Sequence, residues 1–281
     1  MIPQSFEYSA PATLQEALSL IENSDSKLLA GGMSLIPLMK LRLAQPEHVI
    51  DLARIPGLNG IDVSGAVIRI GATATHHQVE TSAAIRARCP LLAETASQIG
   101  DPQVRNMGTI GGSIAHADPA ADYPAALIAL EAKFRLASAK GERTVGAAEF
   151  FQDAFTTALQ PGEIVVAVDI PVEDSGEGYA YEKLAHPASG FAVVGVAVRI
   201  KKAAGKITMA RIGVTGLGSH AFRAQNAERL LESGADGASA AAVVAEGVDA
   251  NSDLYASAEY RLHLTRVHAG RAIAAALSRA E

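Results

Sequence analysis

Residues 30–52 read AGGMSLIPLMKLRLAQPEHVIDL. Two glycines and a serine stand at the head of an apolar run, and a second apolar run closes the stretch. Residues 35–43 read as a helix, with Pro37 in a first turn where a missing N–H does no harm. Residues 48–52 read as a buried strand, and residues 27–30 as a short strand before the glycines. Gly31-Gly32 therefore occupies a strand-to-helix turn. Further upstream Thr13 stands where an N-cap would, Glu16 falls in the first turn, and Leu14, Ala17, Leu18 and Ile21 form an apolar stripe. Residues 1–54 thus predict strand, helix, strand, helix, strand, a small α/β unit.

Beyond residue 54 the pattern changes. Residues 67–70 read as a strand, followed by a loop and a helix near Val79. A second helix is expected over 90–99. Residues 99–121 hold a glycine turn and look irregular. A helix from about Pro124, a hairpin at Lys140-Gly141, a short helix over 149–155 and a strand over 164–170 complete a mixed unit, 55–175. VEDSGEGY, residues 172–179, is acidic and poor in apolar residues, so a boundary is placed there. The last unit, 176–281, begins with three expected strands, 179–184, 192–201 and 206–217, with Gly205 turning the last pair. Helices are expected over 221–232, 238–248 and 257–278. Strands followed by helices indicate α+β.

The chain has 281 residues, long for a single core, of which 49% are apolar and 19% charged. A net charge of −6 gives no electrostatic footprint for nucleic acid. Cys89 is the one cysteine, which rules out an internal disulfide and any cluster or structural zinc held by cysteines of this chain alone. A reducing, cytoplasmic setting is expected, and no export signal opens the sequence. The longest apolar stretches, such as 192–198, are too short to span a bilayer.

Two loops invite chemistry: Ala30-Gly31-Gly32-Met33-Ser34, and Thr109-Ile110-Gly111-Gly112-Ser113. Each offers consecutive N–H groups without bulky side chains and a nearby hydroxyl, an arrangement that lets backbone approach a phosphate. If Gly31-Gly32 opens a helix, the helix end adds partial positive charge. Alone, either loop reads as a turn, and neither is a GxGxxG fingerprint or a P-loop. Asp101, Arg105, Asn106, His116, Asp118 and Asp122 crowd the stretch IGDPQVRNMGTIGGSIAHADPAADYPA, residues 99–125. Carboxylates capping backbone N–H groups account for it better than a metal site. Asp122 either caps the following helix or accepts hydrogen bonds from a ligand. His76 and His77, as neighbours, cannot easily share one metal. No nucleophile elbow or HExxH is present, so no catalytic or metal residue is assigned.

In this order, the two loops, with PGEIVVAVDIP and EKLAHPASGFAVVGVAVRI, resemble the flavin-binding medium subunit of the molybdenum hydroxylases, of the carbon monoxide dehydrogenase and xanthine dehydrogenase type. The resemblance runs from about Phe6 through the last helix. It implies a two-subdomain PCMH-type (vanillyl-alcohol-oxidase-like) FAD-binding fold, followed by a three-stranded antiparallel sheet with a helical bundle. It implies FAD held by residues Leu29, Ala30, Gly31, Gly32, Met33 and Ser34 on one side and by Thr109, Gly111, Gly112 and Ser113 on the other. Asp122 would contact the flavin or ribitol, Val165 would supply an apolar wall, and Lys183 would reach the cofactor from the third unit. Phe191 stands where relatives carry an aromatic near the isoalloxazine, and residues 72–75 are a further candidate lining. The resemblance also implies partners: a small subunit with [2Fe–2S] clusters and a large subunit with molybdopterin, as a dimer of heterotrimers. Electrons would pass from the clusters through FAD to an external acceptor. The alternative is a stand-alone FAD oxidoreductase of small alcohols. With one cysteine the chain falls outside the branch whose flavin subunit carries an extra cluster. Met33 departs from a commonly polar position.

Overall fold

Three short parallel strands open the chain in the computed structural model, which describes residues 1–22, 25–172 and 176–280. They are β1 (Glu7–Ser9), β2 (Ser26–Leu29) and β3 (His48–Asp51), in the order β1-β3-β2, with helices α1 (Leu14–Ile21) and α2 (Leu35–Lys40) between them. Thr13 caps α1: Glu16 N donates to Thr13 Oγ1 at 3.2 Å, and Ala12 N donates to the Glu16 carboxylate at 2.9 Å. Ala17 and Leu18 then join Ile50, Leu52, Ile55 and Leu58 in the first apolar core. Helix α2 stops three residues earlier than its sequence pattern. Arg42 turns left-handed at φ 60°, and Leu43 N donates to Leu38 O at 2.9 Å, a Schellman end.

The middle of the chain builds a five-stranded antiparallel sheet. Its strands are β4 (Ile61–Ser64), β5 (Val67–Gly71), β6 (Lys133–Ser138), β7 (Gly141–Gly146) and, after two further short strands, β10 (Ile164–Pro171), in the order β4-β5-β10-β6-β7. The two short ones are β8 (Phe151–Asp153) and β9 (Thr156–Thr157), a separate hairpin. Helices α3 (His76–Thr81), α4 (Ala83–Arg88), α5 (Pro90–Ser97), α7 (Ile110–His116), α8 (Asp122–Ala129) and α9 (Ala147–Phe150) share its core, and α6 (Pro102–Met107) packs on α3 outside it. Phe134, Phe150 and Phe151 meet edge to face, their ring centroids 4.8 to 5.8 Å apart.

Two differences from the sequence pattern stand out. Most of residues 101–116 are helical, not irregular: Asp101 accepts from Val104 N at 2.8 Å to start α6, and Thr109 accepts from Gly112 N to start α7. The helix expected over 149–155 ends at Phe150, because Phe150 and Phe151 both turn into the aromatic cluster.

The last part is a meandering antiparallel sheet, β11 (Glu177–Ala185), β12 (Ala192–Ala203), β13 (Lys206–Thr215) and β14 (Phe222–Arg223), in sequence order. It has four strands where the sequence pattern predicts three; β14 is only two residues long. Helices α10 (Gln225–Glu232), α11 (Gly237–Val243) and α12 (Ala258–Arg279) pack on it around a third core. The boundary expected at 172–179 falls partly outside the described residues, since 173–175 are not among them. Helix α8 is buried along its length and lies against β12 and β13. At Gly213 any Cβ would sit within 3 Å of the Ala125 carbonyl, so α8 and β13 meet backbone to backbone.

Candidate cofactor site

The two glycine loops, remote in sequence, touch. A Cβ on Gly31 would collide with Met107 O and lie 2.7 Å from Gly108 Cα. A Cβ on Gly112 would lie 3.9 Å from that of Ala30. The glycine at 31 is thus demanded by the turn at Met107-Gly108, which feeds α7. Gly32 is demanded by its own left-handed φ of 71°.

The loops differ in what their N–H groups do. Leu29 ends β2, and its carbonyl accepts from Leu52 N at 2.9 Å. Gly32 O and Ser34 O accept from Ile36 N and Leu38 N at the start of α2. Among the described residues, no acceptor meets the N–H groups of Ala30, Gly31, Gly32, Met33 or Ser34. Ser34 caps α2 by position without a side-chain bond, and Met33 is 39% exposed. At α7 the donors are engaged: Ile110 N donates to Ala74 O at 3.0 Å and Gly111 N to Ala72 O at 2.8 Å. Gly112 N donates to Thr109 Oγ1 at 3.2 Å, and Ser113 N to Thr109 O at 3.0 Å. Gly111 is glycine because its Cβ would strike Ala72 at 2.5 Å. Residues 72–76 thus form a brace between β5 and α7, with Ala72 N bonded to Val166 O and His76 N to Gly108 O.

A buried polar cluster lies at the head of α8. Asp122 Oδ1 accepts from Tyr181 Oη at 2.6 Å and from Lys183 Nζ at 2.8 Å. Tyr181 and Lys183 project from one face of β11 at strand spacing. Lys183 Nζ also donates to Gln98 O at 2.7 Å and Gly190 O at 2.8 Å. The Asp122 and Lys183 side chains are 3% and 4% exposed. Burial pushes the Asp122 carboxyl up from its ordinary value, and the Lys183 ammonium opposes that. Burial and then the Asp122 charge push the Tyr181 phenol well up, so it remains a donor. Asp122 does not cap α8, for its carboxylate turns to Tyr181 and Lys183, and the N-cap position is Ala121. Val165 is buried on β10, in the central core, next to a register shift between Val165 and Ala167.

The acids of 99–125 are dispersed into separate duties. Asp101 caps α6, Asp118 accepts from Ala120 N at 2.9 Å, and Asp122 joins Lys183. His76 opens α3, in surroundings that the sequence does not reveal. Its ring packs edge-on to Tyr123 with centroids 5.2 Å apart, and among the described residues its Nδ1 has no partner. Burial first, and then the Arg105 charge, hold its pKa down at about 4. Tyr181 also escapes the sequence reading, although its i, i+2 spacing to Lys183 on an expected strand is the available signal.

A family model described as the FAD binding domain in molybdopterin dehydrogenase matches residues 4–173, and one described as the CO dehydrogenase flavoprotein C-terminal domain matches residues 179–276. The chain belongs to the FAD-binding molybdopterin dehydrogenase flavoproteins. It is 43% identical to the carbon monoxide dehydrogenase medium chain of Hydrogenophaga pseudoflava, over 99% of each chain. It is 39% identical to the 6-hydroxypseudooxynicotine dehydrogenase complex subunit alpha of Paenarthrobacter nicotinovorans, over 100% of this chain and 97% of that one. The solved carbon monoxide dehydrogenase of Hydrogenophaga pseudoflava that lacks the Mo-pyranopterin moiety superposes with a TM-score of 0.96, covering all of both chains. As a flavoprotein of this family the chain is a component of oxidoreductases, and its cofactor is FAD. These matches give no support to a stand-alone alcohol oxidase. No helix among the described residues is long and apolar enough to cross a membrane.

The residues present fit the cofactor. A diphosphate needs several convergent donors and close backbone approach. The half-buried row of N–H groups over 30–34, free of acidic side chains and beside Gly112, supplies both.

Proposed function

We propose that this chain is the electron-transfer subunit of a heterotrimeric molybdenum hydroxylase, with FAD lying along the junction of the two glycine loops. A molybdopterin large subunit would oxidise the substrate, and a small subunit with [2Fe–2S] clusters would deliver the electrons here, for an external acceptor. Two such heterotrimers would pair, in the cytoplasm. FAD, when bound, supplies the step between one-electron clusters and a two-electron acceptor.

In this reading residues 30–34 donate main-chain N–H groups to the diphosphate, and Leu29, held at the end of β2, sets where that row begins. Thr109, Gly112 and Ser113 close the other side with a hydroxyl-bearing, side-chain-poor surface, and Gly111 lets α7 approach the 72–75 brace. Asp122 offers its carboxylate toward the ribitol or ring, Val165 backs the site with apolar surface, and Lys183 reaches it from the third unit. The three units are taken as 1–54, 55–175 and 176–281. The single observation behind the reading is the contact of the two glycine loops, with a row of open donors on the first.

The experiment is co-expression of the chain with candidate small and large subunits, followed by purification on this chain. The expected product carries all three chains and flavin absorption that bleaches on reduction through the partners. A chain that purifies alone, colourless, and stays colourless after incubation with FAD contradicts the proposal.

A further inference from the structure

Gly108 links α6 to α7, and its backbone does not ask for glycine: φ is −61° and ψ 143°, open to any residue. Space asks for it. A Cβ there would lie 2.6 Å from His76 Nε2 and 2.8 Å from His76 Cδ2. On its other side the Gly108 Cα stands 2.7 Å from where a Cβ on Gly31 would be. Gly108 is thus held between the His76 ring and the first glycine loop. The ring in turn packs edge-on to Tyr123 of α8, with centroids 5.2 Å apart, and both residues are buried. Among the described residues, His76 Nδ1 and Tyr123 Oη make no hydrogen bond, so what these two atoms' rings supply to each other is contact.

The point from which the ring projects is itself fixed. Thr75 and Gln78 cap α3 reciprocally, with Gln78 N donating to Thr75 Oγ1 at 3.2 Å and Thr75 N to Gln78 Oε1 at 2.8 Å. Thr75 bridges Thr109 in antiparallel fashion, and His76 N donates to Gly108 O at 2.9 Å. Thr109, Gly112 and Ser113 follow Gly108 directly, at the head of α7. A line of contacts therefore runs from Tyr123 through His76 and Gly108 to Gly31, from the central core to the junction of the two glycine loops.

We infer that His76 is a positioning residue for the cofactor: its ring is the spacer that holds Gly108 against Gly31, and so sets the gap between the two glycine loops. This rests on the FAD reading above. His76 acts through the Met107-Gly108 turn and not as a group that meets the ligand.

The test is a size-exchange cycle on the full-length chain: wild type, His76→Ala, Gly108→Ala and the double variant. FAD affinity is read by titration, and stability by urea unfolding. His76→Ala removes the spacer and Gly108→Ala crowds it, and each weakens FAD binding about tenfold or more. In the double variant the new methyl enters space that the ring has left, so it binds FAD more tightly than either single variant. Glu228→Ala, which loosens the fold at the third core, is the control and leaves FAD affinity unchanged. Three results overturn the inference: single variants that bind FAD as the wild type does, a double variant whose losses add, or a Glu228→Ala control whose affinity falls in step with its stability. If His76→Ala does not fold, His76→Ser, better suited to the first turn of a helix, takes its place in the cycle. A wild type that takes up no FAD sinks the FAD reading and this inference with it. A wild type that binds FAD, without rescue in the double variant, sinks the inference alone.

Discussion

Four glycines in the two loops carry three different duties. Gly31 and Gly111 are required by backbone contacts, to Met107 O and to Ala72, whereas Gly32 is required by its φ of 71°. Gly112 meets no backbone: a Cβ added there would press on the Thr109 hydroxyl at 2.8 Å and lie 3.9 Å from the Cβ of Ala30, in the other loop. Gly112→Val therefore probes the ligand, and FAD affinity measured by titration falls about tenfold or more, which is about 1.4 kcal/mol. Gly31→Ala instead probes the fold and lowers stability to urea by about 1–3 kcal/mol. The reverse pattern contradicts this assignment. In the sequence all four glycines look alike, because the atoms that distinguish them lie in remote segments. His76 supplies a pH signature. Its folded pKa, about 4, lies below the ordinary value, so folding favours the neutral ring. The stability it contributes is complete above about pH 6.5 and is lost as pH falls toward 4, about 3 kcal/mol in all. In urea unfolding followed between pH 4 and 7, His76→Gln loses less stability than wild type across that window; an identical slope would contradict the assignment.

At the scale of elements, long periodic segments are legible. The stripe of α1 with its Thr13 cap, the β12–β13 hairpin at Gly205 and the long α12 all form where patterning places them. Helices α6 and α7 are not legible, being six and seven residues long, with glycine and small residues through α7. Propensity alone does not favour them; caps and the 72–76 brace hold them. A signal is available nonetheless, since Asp101-Pro102 is an N-cap followed by proline at the first helical position. Thr109→Ala removes the α7 cap and costs about 1 kcal/mol in chemical denaturation, with Thr109→Ser restoring most of it. No loss in Thr109→Ala would show that packing alone sustains α7.

Across the whole molecule, α8 is the wall between the second core and the third, and ionic ties cross that seam. Glu131, just past the end of α8, pairs with Arg211 at 2.9 Å and Arg223 at 3.3 Å, but its side chain is 43% exposed. Glu228, 5% exposed, accepts from Ile212 N at 2.8 Å and from Arg223 at 2.9 Å. Glu131→Ala thus costs less than about 1 kcal/mol. Glu228→Ala, which strands the buried Ile212 N–H and takes from Arg223 its buried partner while leaving it Glu131, costs about 2–3 kcal/mol in urea unfolding. Equal losses would contradict this ranking. The fold class and the pairing of the glycine loops are readable from motif order. The division of labour between the loops is not, because it depends on which N–H groups find acceptors once the 72–76 brace is in place.

If the open N–H row of the first glycine loop receives the diphosphate, the cofactor must shield that row from solvent. Amide exchange of the full-length chain, with and without saturating FAD, tests this most directly. Strong new protection is expected over residues 30–34, with little change at Gly111, whose N–H is already bonded to Ala72 O. Bound FAD with residues 30–34 still exchanging freely would contradict it.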